Sequence, residues 1–464
     1  MKKQLVSAML VGAMTATALV GCGGTSSKSS STKKDSTKTE SKKTPTAKAV
    51  NASKEDKNTL SVYAWDAGFN IPALKAAEKA YQEKNPDFKL NVVQTADSTE
   101  VQNRITLAGQ AQDYSTLPDI TLFQDHGIHQ YMTNFPKLWV GAGDKADWDN
   151  FGQEKLSFST VKDKHYGFPV DNGTVIYAYR TDLLQQAGYT IKDVTGITWD
   201  KWLEIGKNVY DKTGKYLLSM DNSGNDLPYM MLQAEGVSQF KDGKVSVADN
   251  EKVQKIFEVL QKAVDNHCLY LCNNWSDYTD QSIQGDMVAG VMNGNWIIPT
   301  IKKVEANSGK WAITTLPTLS GEEGYASNGG SSLYITSACK GDKVKLAQDF
   351  LSYTFGGGKG ATATYDAALT DGGVITCYAP AGKSEVYNAG VAFFNNQPIY
   401  STVVEYGTHV KTVEQSDYHY DLRTNISTAI TKLTDSNTTN RPSVKDALKE
   451  AEDTTNSAIE AAKQ

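Results

Sequence analysis

The stretch Thr59-Leu-Ser-Val-Tyr-Ala-Trp65 decides the fold, because it has the composition of a buried strand and opens a regular alternation of strands and helices. A helix from about Ile71 to Asn85 comes next, with Pro72 in its first turn and Pro86 just beyond its end. The alternation continues with a strand over residues 89–94, a helix over 99–111 and a strand over 118–123. This β-α-β-α-β order predicts an α/β fold with a parallel sheet covered by helices.

Polar and aromatic side chains follow two of these predicted strands. Trp65 and Asp66 stand at the end of the first strand, and Asp125 and His126 stand just beyond the third. Ligand sites of open α/β sheets gather at the carboxyl ends of the strands. The sequence therefore predicts a ligand site formed by these loops.

The first residues predict export and anchoring. Lys2 and Lys3 precede a mostly apolar run from Val6 to Val20, which is the pattern of a secretory signal. The ending Leu19-Val20-Gly21-Cys22 resembles a bacterial lipobox, in which the cysteine is diacylated and becomes the mature N-terminus. We therefore expect a signal peptide over residues 1–22, lipidation at Cys22 and a place on the extracellular face of the cell membrane. The alternative is an ordinary signal with an incidental cysteine.

Residues 23–58 predict a disordered tether. They are rich in Ser, Thr and Lys with almost no aliphatic side chain, so they cannot bury enough surface to offset the entropy of ordering. They carry nine lysines against four acids, and the leader adds two lysines. Since the whole chain carries −6, residues 59–464 carry −13. This acidic body argues against a nucleic-acid partner, and the basic tether suits an anionic membrane surface.

The remaining cysteines indicate no particular chemistry. Cys268 and Cys272 are four residues apart, while Cys339 and Cys377 are distant. His267 beside Cys268 suggests zinc, but no second close pair completes such a site, so we expect no metal and no cofactor. Disulfide pairing and free buried thiols both remain open.

Several motifs follow one another along the chain: Ala77-Glu-Lys-Ala-Tyr-Gln-Glu-Lys-Asn-Pro86, Leu117-Pro-Asp-Ile-Thr-Leu122, Tyr166-Gly-Phe-Pro-Val170 followed by Val175-Ile-Tyr-Ala-Tyr179, Thr198-Trp-Asp-Lys-Trp202 and Gly285-Asp-Met-Val-Ala-Gly-Val-Met-Asn-Gly-Asn-Trp296. In this order they resemble the family 1 extracellular solute-binding proteins, the sugar-capturing components of bacterial ABC importers, to which the maltose-binding protein is related. The resemblance covers most of residues 59 to about 355 and thins afterwards.

The resemblance implies two discontinuous α/β lobes joined by hinge strands, with the ligand cleft between them. Carried over by motif, the N-terminal lobe comprises residues 59–169 plus 313–358, and the C-terminal lobe comprises 170–312 plus 359–464. It also implies a receptor that closes over a carbohydrate and delivers it to permease subunits. We expect an oligosaccharide as cargo because the chain has 8 Trp and 23 Tyr, and we expect a monomer.

The predicted ligand-binding residues combine aromatic rings with hydrogen-bonding groups, because a sugar has apolar faces and a rim of hydroxyls. Trp296 occupies the family's aromatic position and is the first stacking candidate, with a core position beside Ile297 and Ile298 as the alternative. The full set is Trp65, Asp66, Asp125, His126, Asp171, Asn172, Asp226, Tyr229, Trp296, Asn328, Tyr418 and His419. Residues 376–387 are expected to form a long loop over the cleft mouth.

Other function classes remain as alternatives. An exported glycosidase would share an acidic, tryptophan-rich cleft, but the chain has no His-Glu-x-x-His and no Gly-x-Ser-x-Gly motif. A surface adhesin would not need the alternation of strands and helices, and a binding protein for a non-sugar solute is a further possibility. The sequence therefore favours binding over catalysis.

Overall fold

The computed structural model describes residues 56–222 and 226–462, which form an α/β fold within one compact unit. The predicted leader, Cys22 and the tether up to residue 55 lie outside the described residues. The elements up to residue 222 are β1 (Thr59–Ala64), α1 (Asn70–Gln82), β2 (Lys89–Gln94), α2 (Ser98–Ala111), β3 (Ile120–Gln124), α3 (Asp125–Asn134), β4 (Trp139–Val140), α4 (Gln153–Ser157), β5 (Thr160–Val161), β6 (Lys164–His165), β7 (Gly167–Asp171), β8 (Val175–Arg180), α5 (Thr181–Gln186), α6 (Trp199–Thr213) and β9 (Leu218–Asp221).

The elements from residue 226 onward include the long C-terminal helices. They are α7 (Asp226–Ala234), β10 (Phe240–Lys241), β11 (Lys244–Val245), α8 (Glu251–Asp265), β12 (Leu269–Cys272), β13 (Gly290–Gly294), α9 (Ile298–Lys302), β14 (Trp311–Thr314), β15 (Ser331–Thr336), α10 (Asp342–Thr354), α11 (Ala361–Gly372), α12 (Glu385–Asn388), α13 (Ile399–Thr408), α14 (His419–Leu433) and α15 (Val444–Ala462). A π-helix spans Asp277–Ile283, and 3-10 turns span Trp148–Asn150, Ile191–Val194, Asn295–Ile297, Glu305–Asn307, Ala381–Lys383, Ala392–Phe394 and Thr438–Asn440.

The first sheet has the strand order β2-β1-β3-β15-β4, with β7 also paired to β15. β1 runs parallel to β2 and β3, which confirms the predicted β-α-β-α-β unit. β15 is antiparallel to β3, β4 and β7, so a strand from late in the chain completes this sheet. The carboxyl ends of β1 and β3 lie at one edge and carry Trp65 and Asp125 just beyond them.

The second sheet region is built around β8, which is antiparallel to β13 and β14. Beside it, β9 and β12 form a parallel pair. Buried aromatic side chains fill the core under these strands, and the Trp202 indole donates a hydrogen bond of 2.8 Å to the Tyr177 hydroxyl. The C-terminal helix α15 packs along α14 and buries Leu448 and Ile459 in the same core.

The chain crosses between the sheets over residues 172–174 and returns over residues 315–330. β14 pairs with β8, so Ile313 and Thr314 lie in the second sheet region, although the prediction starts the returning part of the N-terminal lobe at residue 313. Helix α11 packs along α1 beside the first sheet, whereas the prediction assigns residues from 359 onward to the C-terminal lobe. The exact lobe limits stay a prediction.

Residues 376–387 do not form a loop over the cleft. They hold a 3-10 turn and the start of α12, and Tyr387 and Ala381 are fully buried in the core next to the first sheet. The Tyr387 hydroxyl accepts a hydrogen bond of 3.0 Å from the Thr376 amide, which fixes this segment internally. Apolar packing of this segment therefore outweighs the local preference of Gly372, Gly373 and Pro380 for turns, and the prediction of a loop is wrong.

The cysteines at positions 268, 272, 339 and 377 are free thiols. The Cys268 Sγ donates to the Leu203 carbonyl at 3.4 Å, and this residue belongs to the core under the second sheet region, which also holds Trp202. Cys272 and Cys339 belong to the core that holds Tyr387. None of the described helices is both long and apolar enough to span a membrane.

Candidate functional site

A cavity of about 720 Å³ opens where loops from the two sheets face each other. The first sheet contributes the loop after β1, the end of β3 and the end of β7, and the second contributes the loop after β12 and the segment after β13. Helices α9, α11 and α14 close the remaining sides. The lining residues are Trp65, Asp66, Gly68, Phe69, Asn70, Gln124, His126, Asp171, Asp226, Trp275, Trp296, Pro299, Thr300, Lys303, Asn328, Gly329, Gly330, Ser331, Gly372, Tyr420 and Arg423.

One wall of the cavity is aromatic. The rings of Trp275 and Trp296 lie 5.7 Å apart between centroids and are tilted by 44°. The Trp296 indole donates a hydrogen bond of 2.7 Å to the backbone carbonyl of Asn328, so its ring is held in one orientation. This fixed ring offers an apolar face whose polar N–H is already satisfied.

Polar groups adjoin this wall. The Asn328 side chain donates to Asn293 Oδ1 at 2.8 Å and accepts from Arg423 Nη2 at 3.1 Å. Arg423 also forms a short ion pair with Asp226 and lies over the Tyr420 ring at 5.9 Å. These contacts fix the donors and acceptors before any ligand arrives, which reduces the ordering cost of binding.

The opposite rim is a tight turn after β1. Asn70 Oδ1 accepts hydrogen bonds from the Trp65 and Asp66 amides at 3.3 and 3.0 Å, and Asp66 Oδ1 accepts from the Gly68 amide at 2.8 Å. Asp66 is exposed at the end of this turn, so its remaining lone pairs face solvent and the cavity.

The base of the cavity rests on buried charges. Asp171 accepts from Ser331 Oγ at 2.6 Å, and the fully buried Lys155 ion-pairs with Asp125 and donates to the Ser331 carbonyl at 2.8 Å. Burial raises the pKa of Asp125 to about 7, although the Lys155 ammonium opposes the rise. Gly330 lets the backbone pass here with φ +92°, and an added Cβ would lie 2.5 Å from Asp125 Oδ2.

Two buried histidines meet beside the cavity. The rings of His126, at the start of α3, and His419, at the start of α14, are stacked with centroids 4.5 Å apart and planes 3° apart. Tyr229 packs edge-on against both rings. Burial first, and then the positive charge of Arg423, holds the pKa of each imidazole well below its usual value, so both rings are neutral.

The structure brings seven of the predicted ligand residues to the cavity lining: Trp65, Asp66, His126, Asp171, Asp226, Trp296 and Asn328. Five others do not line it, namely Asp125, Asn172, Tyr229, Tyr418 and His419. Asp125 is covered by Lys155, Asn172 is buried at the crossover, and Tyr229 and His419 lie behind Arg423 and Tyr420. On α14 the lining residue is Tyr420 rather than Tyr418, which packs against the second core.

The set of predicted ligand-binding residues leaves out five that line the cavity, namely Asn70, Trp275, Lys303, Tyr420 and Arg423. Trp275 had a usable signal, because it follows the carboxyl end of the parallel strand β12, as Trp65 follows β1. Within the described part of the chain, no group of three or more His, Cys, Asp or Glu side chains has an arrangement that could hold a metal ion.

Comparison with known proteins gives a family match. A family model described as bacterial extracellular solute-binding protein matches residues 76–395. A lactose-binding protein of Rhizobium radiobacter is 31% identical over 376 residues, covering 80% of this chain and 86% of that protein.

Solved structures give the same fold. The sugar-binding protein MalE from Xanthomonas citri superposes with a TM-score of 0.71 at 15% identity, over 87% of this chain and 98% of that one. An ABC transporter associated binding protein from B. animalis subsp. lactis Bl-04, solved with β-1,6-galactobiose, gives a TM-score of 0.65 at 20% identity, over 87% and 96%. These likenesses establish the two-lobed α/β fold.

Proposed function

The chain belongs to the bacterial extracellular solute-binding proteins, and from this premise we propose that it is the receptor of an ABC importer, which captures an oligosaccharide in the cavity between its lobes and delivers it intact to the permease. It acts by binding and not by catalysis. The receptor works as a monomer that contacts membrane-embedded permease subunits.

The observation that carries the proposal is the fixed aromatic wall beside polar side chains. A pyranose ring presents C–H faces that stack on tryptophan and hydroxyls that need paired donors and acceptors. Trp296 offers the stacking face, and Asp66, Asp226, Asn328 and Arg423 offer carboxylate, amide and guanidinium groups around it.

Lobe closure supplies the signal that a ligand is bound. Lining residues come from both sheets, with Trp65 and Asp171 on one side and Trp296 and Asp226 on the other. A ligand that contacts both sides favours the closed form by its differential affinity for that form, and hinge bending at the crossovers allows the movement.

The anchor belongs to the same proposal. The leader that ends at Cys22 directs export, the lipidated cysteine holds the protein at the outer face of the cell membrane, and the basic tether keeps the acidic body near that surface. Incorporation of a labelled fatty acid into the wild-type protein, but not into Cys22→Ala, tests this part. An unlabelled wild-type protein would remove the anchor from the proposal.

The relatives suggest which sugars to try first. The relative with 31% identity is named a lactose-binding protein, and a second relative, 22% identical over 298 residues, is named an arabinooligosaccharide-binding protein. Lactose and other β-galactosides therefore head the panel, followed by arabino-, xylo-, manno-, malto- and fructo-oligosaccharides.

The test is calorimetric titration of the purified protein against this panel, with the sugars analysed afterwards. Saturable binding near 1 µM, about −8 kcal/mol, with intact sugar recovered is the expected result. Recovery of shortened sugars would contradict the receptor function and indicate a glycosidase, an enzyme that uses two carboxylates across the scissile bond. No binding to any sugar would move the proposal to a non-sugar solute.

Two tryptophan variants locate the site. Trp296→Ala should weaken binding by roughly 2 kcal/mol, or about 30-fold, because the stacking face is lost. Trp148→Ala is the matched control, since Trp148 is also half-buried but packs against His165 and Phe168 outside the cavity. Equal affinities for the two variants would mean that the ligand binds elsewhere.

A further inference from the structure

Trp275 is an exposed aromatic side chain that the proposed function leaves without a role. Its side chain is 45% exposed although it lines the cavity and touches Trp296. Among the described residues, the other exposed large apolar side chain that lines the cavity is Tyr420. A single exposed apolar side chain is ordinary on a protein surface, but an indole that lines a polar cleft and adjoins a second indole has the features of a ligand contact.

The backbone under Trp275 is held rigidly. The Asn273 amide donates to Asp277 Oδ2 at 2.8 Å, and the Asp277 amide donates to Asn274 Oδ1 at 3.0 Å. The Trp275 carbonyl accepts from Thr279 Oγ1 at 3.1 Å within the π-helical turn that follows. Turns of this type recur at functional sites, and here the turn fixes the backbone that carries an exposed ring.

Tyr278, Trp275 and Trp296 form a row of neighbouring rings, with similar angles between successive ring planes. Tyr278 lies 5.3 Å from Trp275 with planes 41° apart, and Trp275 lies 5.7 Å from Trp296 with planes 44° apart. The Tyr278 hydroxyl accepts from Asn293 Nδ2 at 3.2 Å, so the inner end of the row is also fixed. A single flat ring cannot stack on both tryptophans, because their faces differ by 44°. Two linked sugar rings, free to turn about the bond between them, can.

We infer that Trp275 is the outer stacking platform of the site and receives the sugar ring next to the one on Trp296. This inference rests on the proposed function and deepens it, because it assigns the second sugar ring of the cargo to Trp275. The spacing of the two indoles is comparable to the length of one sugar ring. Asp226 and Lys303 lie on the same cavity lining and offer charged groups for the hydroxyls of these rings.

The test compares ligand lengths. Monosaccharide, disaccharide and trisaccharide of the class that binds the wild-type protein are titrated into the purified wild type, Trp275→Ala and Trp296→Ala. Trp275→Ala should weaken the disaccharide and trisaccharide about 10-fold and leave the monosaccharide within about 2-fold, whereas Trp296→Ala should weaken every length. If the wild type binds nothing shorter than a disaccharide, the 10-fold loss on that disaccharide is the deciding result.

Controls separate stacking from folding. Trp275→Tyr keeps an aromatic face and should recover most of the lost affinity, and Leu107→Ala truncates another exposed apolar residue, 66% exposed and outside the cavity lining, and should change nothing. Thermal melting of each variant verifies that it is folded. Wild-type affinity in Trp275→Ala for the disaccharide, or an equal loss for one ring and for two, overturns the inference while leaving the proposed function standing. A wild-type protein that binds no sugar overturns the proposed function first.

Discussion

The stacked pair of His126 and His419 makes the stability of the protein depend on pH with a sign that can be worked out. Both side chains are buried, 6% and 7% exposed, and both rings are neutral in the folded state. Both ring nitrogens of His126 and Nε2 of His419 find no hydrogen-bond partner among the described residues. Protonation would place two positive charges side by side, close to Arg423.

The magnitude follows from the difference between folded and unfolded pKa values. An unfolded histidine has a pKa near 6.5, so it takes up a proton below that pH while the buried ring does not. The buried rings therefore carry no protonation cost above about pH 6.5, and the free energy of unfolding decreases as the pH falls below that value. Between pH 7.5 and 5.5 each histidine removes about 1.4 kcal/mol from the free energy of unfolding, and the pair removes about 3 kcal/mol.

Buried carboxylates act in the opposite direction over the same range. Burial raises the pKa of Asp125 to about 7 and also raises the pKa values of Glu154 and Asp171. Each of these carboxyls contributes to the free energy of unfolding, and the contribution is fully present below the pKa of the unfolded carboxyl. It is lost as the pH rises through the folded pKa. The pH curve of the wild-type protein therefore contains both effects and does not isolate the histidines.

A double variant isolates them. His126→Phe with His419→Phe keeps two stacked rings and every carboxylate but removes the titration. Urea unfolding of both proteins, followed by far-UV circular dichroism at pH 7.5, 6.5 and 5.5, gives the difference in free energy of unfolding. That difference should move by about 3 kcal/mol in favour of the variant on going to pH 5.5. A difference that stays constant to within about 0.5 kcal/mol would refute the assignment of neutral buried rings.

Three further outcomes are expected. Lys155→Met should lower the free energy of unfolding by about 3–5 kcal/mol in urea, because Asp125 is left buried without its cation, whereas the exposed Lys75→Met should cost less than about 0.5 kcal/mol. Gly330→Ala should lower the free energy of unfolding by at least about 2 kcal/mol, because Gly330 has a positive φ and an added Cβ would meet Asp125. Gly214→Ala, at a positive φ but with open space around the Cβ, should lower it by about 1 kcal/mol, and thermal melting of both variants measures the difference. A reducing agent should leave the melting temperature unchanged, since the four cysteines after residue 22 are free thiols; a downward shift would reveal a disulfide.

The local pattern was sufficient for the first half of the first sheet. The strand predicted over residues 89–94 matches β2, and the helix predicted from residue 99 begins at Ser98, where Asp97 accepts a hydrogen bond from the Glu100 amide. Both elements follow from periodicity and capping, which act within a few residues. The helix predicted to Asn85 ends at Gln82, because the last residues before Pro86 already form a turn.

The site was less predictable, because its contacts join distant segments. No residue near Asp125 in the sequence indicates that Lys155 covers it, and only the packing of α4 against β7 brings the two side chains together. Tyr420 lines the cavity in place of the predicted Tyr418, and which of the two does so depends on where α14 begins. A step of two residues along a helix turns the side chain to another face. The tilt between Trp275 and Trp296 likewise depends on how the segments after β12 and β13 pack.

The late arrival of β15 has a consequence for the order in which the protein is made. β15 is the partner of β3, β4 and β7, and among the described residues β4 and β7 have no other strand partner. On a growing chain these strands remain unmatched until residues 331–336 emerge, by which time most of the chain has been synthesised. The first sheet therefore closes only after long-range pairing that is slow by its topology. A polypeptide translated in this order keeps its first sheet incomplete for most of its synthesis, and an incompletely folded chain is what passage through a membrane translocation channel requires.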